Sequence, residues 1–230
     1  MSGLPTMGPR MPNQRRLTGL LWLLAWLVII ALLVLVVDLF CVFVLWSPNG
    51  VQHLENVLHT EIALLGLSQS DTHFLAGIIR SFYDMVFVSS GIDGMMRNAA
   101  SLPSSDTSQQ SAVDFTDTLR PAIETAMLGL QLFALRVGVL LLSLPFLVIV
   151  TLAALADGFV GWFLRRTGGE RESGFIYHRA KRSLAWSFVS LWAIYLIPPT
   201  PIDPVYIIPP FLLIAGIATR LHVSFFKKYL

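Results

Sequence analysis

The sequence predicts an all-α integral membrane protein with four transmembrane helices, the last two short, and a helical extracytoplasmic segment between the first and second. Three observations lead there. The 230-residue chain is 55% hydrophobic and 13% charged, where an average soluble domain carries about 25% charged residues, and its mean hydropathy is +0.69. Its apolar residues lie in long blocks, not at the spacing of a core-facing helix face. Its basic residues gather in clusters separated by even numbers of those blocks.

Residues 1–16, with three prolines, two glycines, Arg10, Arg15 and Arg16 and no acid, read as a cytoplasmic arm. Residues 17–46 form transmembrane helix 1, thirty residues with Asp38 as the single charge. Such a helix rises about 45 Å against a hydrocarbon core of about 30 Å, leaving room to tilt or protrude. A cleaved signal peptide has an apolar stretch of only about 7–15 residues and a small-residue cleavage site. Neither is present, so the segment reads as a permanent anchor.

Residues 47–120 read as a periplasmic helical segment. Val51, Leu54, Leu58, Ile62 and Leu65 recur at three- and four-residue steps, an amphipathic pattern. Phe74, Ile78, Phe82 and Met85 continue it in a second helix from about Thr72, whose end is blurred by Gly91 and Gly94. Ser101 to Val113, rich in Ser, Asp and Gln, reads as a loop. Both apolar faces are expected to pack on each other or on helix 1.

Residues 121–156 form transmembrane helix 2. Val137 to Ala156 carries no charge and is one bilayer crossing long, with a kink expected at Pro145 and Arg136 able to snorkel to the interface. Residues 157–183 make a basic cytoplasmic loop. Residues 184–219 hold transmembrane helices 3 and 4, built on Ser183–Ile197 and Val205–Thr219, fifteen residues each. At about 22 Å these are short for a span, so a re-entrant hairpin around Pro198 to Pro204 is the alternative to two short crossings, which are favoured. Residues 220–230 are a cytoplasmic tail.

Orientation follows from charge. Residues 47–120 contain three basic residues against eight acidic ones, whereas 158–183 contain six basic residues and the tail adds Arg220, Lys227 and Lys228. Basic loops stay inside, which gives N-in and C-in.

No catalytic, cofactor-binding or metal-binding set emerges, and the chain does not read as an enzyme. His53, Glu55, His59 and Glu61 read as a solvated helix face; paired cysteines and the HExxH motif are absent. Cys41 reads as a small hydrophobe. Asp38 and Arg136 are the intramembrane polar residues, Asp38 expected to make a polar contact between helices.

The inner loop from Arg165 to Arg182 is the most distinctive stretch. Attraction to anionic lipid requires only positive charge, yet this loop mixes a glycine turn, Glu170-Arg171-Glu172 and then Tyr177-His178. The mixture marks Arg165, Arg166, Arg171, Glu172, Tyr177, His178, Lys181 and Arg182 as partner-binding candidates. The string Arg165-Arg166-x-Gly168-Gly169-x-Arg171-Glu172-Ser173-x-Phe175-Ile176-Tyr177-His178-x-Ala180-Lys181-Arg182, preceded by Ala156-Asp157-Gly158, resembles the signature of the integrating conjugative element membrane proteins. The resemblance implies a bacterial inner-membrane component of conjugative type IV secretion, with no catalytic residues to carry over. It implies an accessory or scaffold subunit contacting the coupling ATPase or other secretion-system membrane proteins, with membrane lipid around it, no direct DNA contact and an oligomer left open. The alternative is a small transporter or channel subunit, which would need several polar residues converging within the spans.

Overall fold

The computed structural model describes residues 12–66, 68–101, 107–168 and 174–226, and all regular structure among them is helical. α1 runs Pro12–Phe40 and continues through a π-helical turn, Cys41–Leu45. No glycine or proline interrupts Leu21 to Trp46, and a helix satisfies every backbone group without water, as a hydrocarbon setting demands. The arm at residues 1–11 lies outside the described residues; from Pro12 the chain is already helical.

The segment after α1 folds into α2 (Gly50–Leu64), α3 (Gln69–Tyr83) with a π-helical turn at Asp84–Val88, and α4 (Ile92–Ser101). A Cβ on Gly50 would strike the backbone carbonyl of Val42, so glycine is what lets α2 leave against the end of the first helix. Ser68 caps α3, its Oγ accepting from the Asp71 N–H at 3.4 Å. Gly91, at φ +78°, turns the chain, and the paths before and after it differ by 74°.

The buried stripes of α2 and α3 are rotated from those expected. On α2 the covered residues are Leu54, Val57, Leu58 and Glu61, while Ile62 is 45% exposed. On α3, Leu75 is covered, whereas Phe74 and Met85 face outward. Both helices pack mainly on α5, with Phe82 edge-on to Phe133 at 6.2 Å and Leu75 against Gly138. Following apolar residues alone misplaced the stripe because an acid, Glu61, belongs to it.

α5 (Thr107–Leu142) and α6 (Leu144–Gly168) form one long mast. Helical hydrogen bonds continue across the break, from Ser143 N–H to Val139 and from Leu147 N–H to Ser143. Pro145, the expected kink, has no N–H to give Leu141, which places the irregularity at Ser143. The mast outruns residues 121–156 at both ends. Thr107 to Val113, expected as loop, is helical, since Gln and Ala there extend a helix already nucleated by the apolar block. Beyond Ala156, α6 continues through Arg165 and Arg166.

α7 (Gly174–Leu196) and α8 (Pro204–Ser224) form an antiparallel hairpin: Tyr177 stacks on His222 at 4.5 Å at one end, and residues 197–203 turn at the other. At about 34 and 31 Å both exceed the fifteen-residue estimate. α8 lies parallel to α6. A Cβ on Gly158 would lie 2.9 Å from the Val223 Cβ, and one on Gly161 would lie 2.8 Å from the Ser224 Oγ. Small residues here permit close helix approach.

Among the described residues, three helical stretches are long and apolar enough to cross a membrane: Ala25–Leu45, Thr118–Gly168 and Pro204–Ser224. A fourth is reached only if the bent pair Gln69–Val88 and Ile92–Asn98 counts as one span. α7, expected as span three, falls short on composition, because any stretch of about eighteen residues within it contains Arg179, Lys181 and Arg182.

Candidate functional site

Two charged layers organise the molecule. The first surrounds Arg136. This side chain, 1% exposed, faces Glu61, 2% exposed. Its Nε donates to Glu61 Oε1 and Oε2, each at 3.1 Å, and its Nη2 also donates to Oε1. The remaining donors reach the α7–α8 turn: Nη1 to the carbonyls of Leu196 (3.3 Å) and Pro198 (2.6 Å), Nη2 to that of Thr200 (2.8 Å). The Ile202 N–H donates back to Glu61 Oε1 at 3.2 Å.

The sequence explains why that turn needs an external donor. Pro198, Pro199, Pro201 and Pro204 have no N–H, so the turn cannot pair its own carbonyls, and Leu196 ends α7 with a carbonyl lacking an intrahelical partner. A guanidinium brings five donors and positive charge to a helix C-terminus. Tyr195, 1% exposed, closes the site, with its ring centroid 5.8 Å from the guanidinium carbon. The pair Glu61–Arg136 therefore joins α2, α5 and the α7–α8 hairpin.

Two turns along α5 stands the expected intramembrane acid. Asp38 is fully buried, and a Cβ on Gly129 would strike its Oδ2. Neither carboxylate oxygen has a hydrogen-bond partner among the described residues. The expected interhelical contact is thus a steric one, Asp38 filling the notch that Gly129 leaves in α5.

The second layer is the opposite end of the mast. Arg220 of α8 pairs with Asp157 of α6. The Arg165 guanidinium lies 3.5 Å from the Phe225 ring, and that of Arg166 lies 5.3 Å from the Trp162 ring. Asp157 is twenty-one residues beyond Arg136, so the two layers are about 31 Å apart along the mast.

The partner-binding candidates divide between helices. Arg165 and Arg166 sit on the last turns of α6, and Tyr177, His178, Lys181 and Arg182 on the first turns of α7, where a loop was expected. Arg171 and Glu172 lie outside the described residues. Tyr177 faces α8, stacked on His222 and edge-on to Phe226 at 6.1 Å, and the exposed His178 packs edge-on to it at 5.4 Å, while Lys181 and Arg182 are exposed. Helical phase separates Tyr177 from Arg182, which a loop reading could not anticipate.

Sequence reasoning missed Glu61, grouped with His53, Glu55 and His59 on a solvated face. Those three are exposed, His59 and Glu55 pairing at 3.8 Å. The signal for Glu61 was its position seven residues after Leu54, on the apolar stripe itself.

Residues 45–227 match a family model described as IncC plasmid conjugative DNA transfer protein DtrJ-like. The chain belongs to this DtrJ-like family. The match covers Glu61, Arg136, the α7–α8 hairpin and the Arg165 end, and begins after Asp38. Membership makes the chain a conjugative DNA transfer protein, as the sequence resemblance implied at that level. The DtrJ-like description names a plasmid, and says nothing of an integrating element. No curated protein and no solved structure matches the chain.

Proposed function

We propose that the chain is a non-catalytic inner-membrane scaffold subunit of a conjugative type IV secretion apparatus, N-in and C-in, whose Arg165 end meets the coupling ATPase in the cytoplasm. In this reading the bilayer lies between the two charged layers, α1 crosses it from the cytoplasm, α2–α4 and upper α5 stand on the periplasmic side, and lipid borders α6.

The observation that carries the reading is the layer spacing. About 31 Å separates Glu61–Arg136 from Asp157–Arg220, which fits a hydrocarbon core of about 30 Å. Between them α6 presents Phe146, Val148, Ile149 and Leu152 outward. The cationic end, Arg165 through Arg182, then faces the compartment of the ATPase, consistent with the basic-inside rule. An inner end with an acid, a tyrosine and a histidine among its cations suits a protein partner better than lipid alone.

The test is the double variant Arg171→Ala, Glu172→Ala, which leaves net charge and hence topology unchanged. A tenfold or greater fall in DNA transfer at normal membrane level, with loss of co-purifying coupling ATPase, is expected. Undiminished transfer and co-purification removes these two residues as contacts. The transporter alternative draws on the burial of Asp38, Glu61 and Arg136. Against it, Glu61 and Arg136 bind each other and a turn rather than line a passage.

A further inference from the structure

Between α6 and α8, at the Arg165 end, lies a cleft of about 430 Å³ lined by Phe159, Trp162, His222, Val223 and Phe226. The spacing Phe159, Trp162, Arg166 places all three on one face of α6. Arg166 is exposed and lies over Trp162. His222 is held by its stack on Tyr177, and its Nδ1 is buried with no hydrogen-bond partner among the described residues. The cleft thus has apolar walls, a cation at its rim and a polar ring atom unused inside.

We propose that this cleft is a binding site for one anionic phospholipid, its phosphate on Arg166 and its acyl chains along Phe159 and Leu152. The inference rests on α6 and α8 crossing the bilayer as read above. The rim, at Arg166, lies about two and a half turns beyond Asp157, at headgroup depth if that residue marks the edge of the hydrocarbon. On the bilayer side of the cleft, Phe159 and Leu152, each 60% exposed and seven residues apart, continue the apolar wall along one face of α6. A guanidinium matches phosphate geometrically, and a neighbouring indole suits the interface. Basic pockets between membrane helices on the cytoplasmic side favour anionic headgroups. A free phosphate would gain nothing from the aromatic walls, and a nucleic acid would have to enter headgroup depth.

The full-length protein, reconstituted in nanodiscs of phosphatidylglycerol and phosphatidylcholine and released for native mass spectrometry, should retain one phosphatidylglycerol. Arg166→Gln should lower that retention at least fivefold at unchanged melting temperature. Arg182→Gln removes the same charge from an exposed site on the neighbouring α7, and should leave retention within twofold. Equal losses in both variants would mean diffuse charge attraction and overturn the site. Displacement of the lipid by a single-stranded oligonucleotide, but not by inorganic phosphate, would make nucleic acid the occupant and also overturn it. Flotation of Arg166→Gln with neutral vesicles tests the membrane reading separately, because it needs only the spans.

Discussion

Arg136 serves three groups at once: the Glu61 carboxylate, the end of α7 and the proline turn. Removing one member of such a set leaves a buried charge without its partner, a loss of about 3–5 kcal/mol, whereas replacing both by apolar groups is far milder. Glu61→Gln and Arg136→Met should therefore each cost more than the double variant Glu61→Leu, Arg136→Met, read as melting temperature in detergent. A double variant as unstable as the sum of the singles would refute the pairing as the source of the cost. The proline-turn carbonyls stay unserved in the double variant, so it should not regain full wild-type stability. Asp38 and Gly129 offer a second cycle. Gly129→Ala puts a methyl where Asp38 Oδ2 stands and should cost about 1–3 kcal/mol by overpacking. Adding Asp38→Ala removes the obstructing atom, so the double variant should recover most of that loss. If it does not, the two helices are held apart by something else.

At the scale of elements, α2 and the α7–α8 hairpin meet on the mast. Glu61 of α2 and the turn after α7, through Leu196 to Ile202, converge on one α5 side chain. The proline turn does not close on its own polar groups, so α2 and α5 position it. The long α7 and α8 favour a hairpin that crosses over one that re-enters, at about 34 and 31 Å. A cysteine replacing Thr200, whose side chain is exposed, should react with an impermeant thiol reagent in intact spheroplasts after Cys41 is replaced by serine. One replacing Thr167, near the end of α6, should stay protected until the cells are opened. The reverse pattern would invert the topology, and protection at both would return the hairpin to the re-entrant reading.

For the whole molecule, composition and charge placement were enough to indicate a helical protein with long apolar segments. Those properties are summed over many residues and survive errors in any one boundary. The helical character of α2 and α3 was legible for the same reason, being local, although which face each buries was not. The resemblance at Arg165 to Arg182 likewise pointed to conjugative transfer from contiguous residues, and the family match agrees at that level. Other features needed the fold. Whether Glu61 faces water or Arg136 depends on a partner seventy-five residues away, and no local pattern encodes that distance. The helical phase that sends Tyr177 to His222 and leaves Arg182 exposed follows from α7 beginning at Gly174, which the charge-rich sequence disguised as a loop. The proline turn looked like a simple break between helices. Only the tertiary structure supplied the donor for its carbonyls, because a segment in which prolines replace so many N–H groups must find one elsewhere in the chain.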